Sequence, residues 1–339
     1  MKKSTIVLTG LLTLLAGCST KVEQPLPAVI FETDMGNDID DALALDMLFK
    51  YQDDGQIQLL AEGVNKNSPY STAYIHLLNH WYGYPDTPVG RVVDGIDSNH
   101  DHGNYAEEVS LMTDADSLPL YRRPAFTNDS LPETVSLYRR MLAAQPDRSV
   151  TLISVGFSTN LARLLRTEAD EYSPYNGLEL VQHKVRLLSI MAGSFGPYPL
   201  MEYNVVKDIP AAQTVARDWP TPIVFTPFEA GEAVKLPSAT ISEGLSWASH
   251  HPVADAYVRY QPMPYDTPLW DVLAVLYAIE PSEEYFTLSP WGNVLVTNDG
   301  FTHFTPHLGG TRAYLSLTEE QAQAALRRIQ QLLTRPAKR

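Results

Sequence analysis

Short apolar runs and helical stretches alternate along most of the chain. Residues 28–31 form an apolar run that leads into an acidic stretch, and residues 42–51 then carry Leu43, Leu45, Met47, Leu48 and Phe49 at helical density. Residues 57–64 are the next strand candidate and residues 73–82 the next helix. The alternation continues through a β run at 149–155, a helix start at 161–166, a strand at 184–190, a helix at 211–216 and a strand at 222–225. Strands that alternate with helices need crossover connections, so the pattern predicts an α/β fold, one Rossmann-like domain with a mostly parallel central sheet and flanking helices. Reactive loops in such sheets follow the carboxyl ends of strands. Residues 94–147 are richer in Pro, Asn and charge and read as a long loop beside one or two helices, and no linker divides the chain.

The first twenty residues follow a different pattern. Lys2 and Lys3 precede a mostly apolar run at 6–16. That run is shorter than the roughly 20 residues a membrane-spanning helix needs, and it suits the central region of a secretory signal. Leu15-Ala16-Gly17-Cys18 resembles the bacterial lipobox, in which the signal is cut before Cys and the thiol carries a diacylglycerol. The expectation is a lipoprotein signal peptide over 1–17, a lipidated Cys18 with a tether over 18–27, and a domain over 28–339. The resemblance implies a bacterial cell-envelope protein, held at the periplasmic face of the outer membrane by its lipid alone.

Composition narrows the partners. With 25 Lys and Arg against 40 Asp and Glu, the formal charge is −15, and loss of a leader containing Lys2 and Lys3 makes it more negative. No basic stripe for a nucleic-acid backbone is visible. A single Cys cannot form an intramolecular disulfide or a thiolate metal cluster.

The acids are not spread evenly. Glu32-Thr33-Asp34-Met35-Gly36-Asn37-Asp38-Ile39-Asp40-Asp41 places five carboxylates directly after a strand and before a helix. Like charges this close raise one another's pKa unless something positive sits among them, and a hard divalent cation with oxygen ligands, such as Ca²⁺, is the economical solution. The stretch is not an EF-hand loop: counted from Asp34, the sixth position is Ile39 and the twelfth is Leu45. An aspartyl-phosphate phosphatase also places carboxylates after its first strand, but Glu32 would have to replace its nucleophilic Asp.

The loop resembles that of the nucleoside hydrolases, the inosine–uridine-preferring N-ribohydrolases. Their strand ends Asp-Thr-Asp-Pro-Gly-x-Asp-Asp before an Ala-rich helix; here Met35 replaces the Pro, and two extra residues precede Asp40-Asp41-Ala42-Leu43-Ala44. Further segments follow in the family's order. Gly63-Val64-Asn65 resembles its ribose-facing Gly-Asn, with Asn67 as an alternative register. Gly156-Phe157-Ser158-Thr159-Asn160-Leu161 resembles its Gly-Pro-Leu-Thr-Asn-Leu turn, and Met191-Ala192-Gly193 its Met-Gly-Gly. Glu202-Tyr203-Asn204 resembles its Glu-Phe-Asn, while Leu269-Trp270-Asp271-Val272-Leu273-Ala274-Val275 and Glu280-Pro281 resemble its last metal-binding segment.

This resemblance implies hydrolysis of the N-glycosidic bond of a small-molecule nucleoside or riboside. Asp34, Asp41, Asp271 and the main-chain carbonyl of Thr159 would hold Ca²⁺, with Asp34 also the general base. Asp40, Asn65, Glu202 and Asn204 would grip the sugar. Asp38 has no counterpart in the usual loop. Trp270 stands where many members carry a His suited to protonate the leaving base, a task closed to an indole, so it is assigned to stacking. His102, in a His-Gly loop, is the replacement acid. His76 and His80 read as a helix surface, and His250-His251 as an exposed turn. The family's usual dimers and tetramers make a homo-oligomer the matching expectation. The alternative is a ribose- or nucleoside-binding lipoprotein without turnover.

Overall fold

The computed structural model describes residues 26–98, 104–124, 128–198 and 200–338. Cys18, the leader, most of the tether and His102 lie outside them. The parallel strands are β1 (Ala28–Thr33), β2 (Gln58–Val64), β3 (Val89–Gly90), β4 (Val150–Ser154), β5 (Val185–Met191) and β6 (Ile223–Thr226). β7 (Lys235–Leu236) and β8 (Thr267–Pro268) form a separate antiparallel pair. Four more follow: β9 (Thr287–Leu288), β10 (Gly292–Val296), β11 (Thr302–Pro306) and β12 (Arg312–Ser316). Among the described residues, ten strands make one sheet in the order β11-β10-β12-β6-β5-β4-β1-β2-β3, with β9 paired to β12.

β1 lies between β2 and β4 and pairs with both in parallel. All six of its residues are buried, as expected of a parallel strand covered on both faces. From β1 the chain runs outward through β2 and β3 on one side and through β4, β5 and β6 on the other. β1 and β4 therefore flank the switch point, where open α/β sheets bind ligands beyond their strand ends. The acidic loop leaves β1 at that point, and Val155-Gly156 leaves β4 beside it.

Two apolar cores cover the faces of the sheet. One joins the helices Asp40–Asp53, Pro69–Tyr82, Trp270–Ile279 and Glu319–Leu333. The other joins Thr134–Ala143, Thr159–Leu165, Gly177–Lys184 and Ile209–Asp218. Trp270–Ile279 is apolar nearly all round and is pinned to the sheet where Ser189 Oγ donates to Ala274 O at 2.8 Å. No helix among the described residues is long and apolar enough to cross a membrane.

Two histidine expectations change. His76 is buried within Pro69–Tyr82, and its pKa is lowered to about 4 by burial and then by His80. His250 is exposed, but His251 is buried with its ring 4.4 Å from that of Trp81. A single-sequence pattern does not reveal either burial, and His251 also packs its ring against Trp247.

Glu62 of β2 is also fully buried. Its Oε2 accepts a hydrogen bond from Asn79 Nδ2 at 2.6 Å, while Oε1 has no partner. Burial pushes this carboxyl up to about 8, against the lowering effect of Asn79. The folded protein thus binds this proton more tightly than the unfolded chain, and stability falls as pH rises from the unfolded value of 4.5 through about 8. Glu62→Gln removes that loss. Thermal melts should place it above wild type at pH 8 and level with it near pH 4.

Candidate active site

One cavity of about 210 Å³ opens at the switch point, and Asp34, Asp38, Asp40, Asp41 and Asp271 are among the residues that line it. Met191, Leu200, Met201, Phe228 and Trp270 form an apolar wall, and Val155, Glu202, Tyr203 and Asn204 complete the lining. Seven of the residues assigned from the sequence are therefore brought together: Asp34, Asp40, Asp41, Glu202, Asn204, Trp270 and Asp271. Asp38, from the lengthened loop, joins them.

Asn65 and Thr159 are not in the lining. Asn65 is fully buried behind it, donating to Glu32 Oε1 at 3.2 Å, while Asn67 is exposed. A Cβ on Gly156 would lie 2.6 Å from Asn65 Oδ1 and 2.8 Å from the Asp34 amide, so this close approach requires glycine. Thr159 opens the helix Thr159–Leu165, and its hydroxyl donates to Asp208 at 2.5 Å. Val155, four residues earlier, is the part of that segment that reaches the cavity.

The loop holds its acids by specific contacts. Gly36 turns the chain at φ +106°, and its amide donates to the Tyr105 hydroxyl at 3.0 Å. Thr33 Oγ1 donates to one oxygen of Asp41, while Asp41 Oδ2 is buried without a partner. Asp40 Oδ2 accepts from the Asp271 amide at 2.9 Å, tying the start of one helix to the start of another. Asp38 is held at both ends: the Tyr105 hydroxyl donates to its carbonyl at 2.9 Å, and the Tyr260 hydroxyl to its carboxylate.

Asn37 and Lys66 support the site although no motif in the sequence marks them. Asn37 Nδ2 donates to Asp34 Oδ2 at 2.5 Å, and Asn37 Oδ1 accepts from the buried Lys66 Nζ at 2.7 Å. The only sequence signal for Lys66 is its place directly after Asn65 at the end of a strand. Glu202 caps the helix Tyr203–Lys207, accepting from the Asn204, Val205 and Gly193 amides. Asn204 Nδ2 lies 3.3 Å from Met191 O.

Electrostatically the acids resist shared ionisation. Burial raises Asp34 to about 7 against the lowering effects of Asn37 and Lys66, and raises Glu202 to about 7 against its amide donors. Asp40, Asp41 and Asp271 are pushed well above the carboxylate range, first by burial and then by one another and by their acidic neighbours. Among the described residues, no three His, Cys, Asp or Glu side chains are arranged so that they could hold a metal ion as they stand. Asp40 and Asp41 each turn one oxygen to a protein donor. The donor chemistry nevertheless fits a hard cation: all oxygen, with a partnerless Asp41 Oδ2 and a cluster that a divalent charge would relieve.

Trp270 is packed in place. Trp270 Nε1 donates to Phe228 O at 3.0 Å, the two rings stack with centroids 5.7 Å apart, and a Cβ on Gly231 would come within 2.0 Å of the indole.

Acids, strand ends and apolar residues thus meet in one cavity of a doubly wound α/β sheet. The profile of the inosine-uridine preferring nucleoside hydrolases matches residues 29–326, and the chain belongs to that family, whose members act on N-glycosyl bonds. Solved structures of similar fold include a plant nucleoside hydrolase, 20% identical, with a TM-score of 0.67 over 92% of this chain and 100% of that one. A purine-preferring ribonucleoside hydrolase from Gardnerella vaginalis is 15% identical, with a TM-score of 0.66 over 91% and 99%. A type III effector protein complexed with adenosine diphosphate ribose is 18% identical, with a TM-score of 0.67 over 92% and 94%. A comparison with curated protein sequences gives no significant match.

Proposed function

We propose that the protein is a calcium-dependent nucleoside N-ribohydrolase, anchored in a bacterial envelope through a lipid on Cys18. The observation that carries the catalytic reading is that one cavity brings five carboxylates together with the stacked rings of Phe228 and Trp270. Cleavage of an N-glycosidic bond builds positive charge on the sugar and negative charge on the base, so carboxylates and flat apolar faces in one cavity suit it.

Asp34, Asp41 and Asp271 are the carboxylates that would hold Ca²⁺, with a main-chain oxygen at Val155 a better-placed companion than Thr159. Bound there, the ion would relieve the crowded acids and make an attacking water more acidic. Asp34 takes the proton of that water. The amide of Asn37, itself oriented by Lys66, keeps the Asp34 carboxylate in place. Asp40, Glu202 and Asn204 present polar atoms toward sugar hydroxyls, and Trp270 and Phe228 offer flat faces to the base.

Incubating the soluble domain with a nucleoside mixture and Ca²⁺, followed by chromatography, tests this directly, with free base and ribose as the expected products. The binding-only alternative draws support from Trp270, whose single N–H is held by Phe228 O. It requires ribosides to raise the melting temperature with no base appearing.

A further inference from the structure

We propose that Glu229, which lies outside the catalytic cavity, is a positioning residue for riboside binding and acts through Gly193 on Glu202 and Phe228. The inference rests on the N-ribohydrolase reading and adds to it a residue that the cavity lining does not contain. β5 and β6 pair in parallel up to Met191 and Thr226. Beyond the strand ends the pairing continues: the Ala192 amide donates to Thr226 O at 3.3 Å, and the Phe228 amide to Gly193 O at 2.9 Å. Gly193 then turns at φ +81°, in the left-handed region that favours glycine, and the amides that follow leave the backbone ladder. Glu229 supplies the acceptors that the ladder no longer offers. Its Oε1 accepts from the Gly196 amide at 2.9 Å and from the Ser194 hydroxyl, and its Oε2 from the Phe195 amide at 3.3 Å. The carboxylate packs so closely that a Cβ on Gly196 would lie 2.7 Å from Oε1.

Two cavity residues depend on the turn that this clamp holds. The Gly193 amide donates to Glu202 Oε2 at 3.0 Å. The Gly193 carbonyl fixes the amide of Phe228, whose ring stacks on Trp270. The clamped segment also runs on to Leu200 and Met201, which line the cavity. Glu229 itself lines a separate cavity of about 250 Å³ with Phe195, Gly196 and Tyr314, so removing it changes no side chain in the catalytic lining. Asp34, Asp41 and Asp271 stand on other segments, around the loop after β1 and at the start of Trp270–Ile279. Loss of the clamp should therefore loosen the grip on the riboside and spare the cation.

The test compares the full chain with its Glu229→Ala and Glu229→Gln variants in Ca²⁺, measuring kcat and KM on inosine and uridine and the Kd of ribose by calorimetry. Glu229→Ala should raise KM and the ribose Kd by at least about tenfold, the scale of one hydrogen bond to a charged group, while kcat stays within about threefold. Glu229→Gln keeps one acceptor oxygen for Ser194 and Gly196 and should recover most of that loss. Ser194→Ala should raise KM less, and should add little to it in the Glu229→Ala background, because the two side chains share one contact. The rise in melting temperature on adding Ca²⁺ should be the same in every variant, which a general loosening of the fold would not leave intact. A Ca²⁺ response lost together with sugar binding makes Glu229 a support of the whole fold and overturns the proposal. So does a folded Glu229→Ala whose KM and ribose Kd stay level with wild type. A wild type that binds ribose yet releases no base overturns the N-ribohydrolase reading, and the ribose Kd then decides the proposal alone. Ribose bound by no form of the protein, with no base released, overturns both.

Discussion

Asp34→Ala is expected to lower base release from every riboside by about 10³-fold or more, since it removes the group that takes the proton of the attacking water. The loss should fall on kcat, because Asp40, Glu202 and Asn204 remain to bind the sugar. Stability should move the other way. Asp34 is buried with its carboxyl raised to about 7 and adds to the crowding felt by Asp41 and Asp271. In the absence of divalent cations the variant should therefore melt at or above wild type. A variant that is folded yet still turns over within tenfold of wild type would remove Asp34 from the mechanism.

Cation removal gives the second large effect. Chelation should abolish base release, and Ca²⁺ should restore it together with thermal stability. At a free concentration of about 100 times Kd the linkage is worth about 2.7 kcal/mol, or about 5 °C for a chain of this length. Asp271→Asn should lose both responses. Its carboxylate is raised first by burial and then by Asp40, Asp41 and Asp34, so an uncharged amide removes the repulsion and the cation attraction together. Full activity in chelator, measured by the same chromatography, would exclude the metal-dependent reading.

Much of the parallel sheet was legible because its strands are continuous apolar runs set between helical stretches. β1, β2, β4, β5 and β6 each fall within a residue or two of the pattern read from the sequence. The C-terminal strands were not. β10 alternates buried and exposed residues, and β9 has only two residues, both exposed. Runs that short and half-polar resemble loops until β12 pairs with β6. At the site, the acids were legible because five carboxylates in ten residues are chemically conspicuous. Lys66 and Tyr260 were not, because their meaning depends on which loop the fold sets against them. Thr159, read from a motif aligned by its Gly and Thr-Asn letters, opens a helix and is not in the cavity lining, whereas Val155 of the same segment is.

The hydrogen bond from the Asp271 amide to Asp40 spans 231 positions of sequence. A contact of that range joins the helix that follows β1 to Trp270–Ile279, so it depends on the strands between them being in place. The cavity is therefore a product of the finished fold: no N-terminal fragment ending before Trp270 contains its aromatic wall or its last acid. Truncation anywhere before Trp270 should therefore abolish the site rather than merely weaken it.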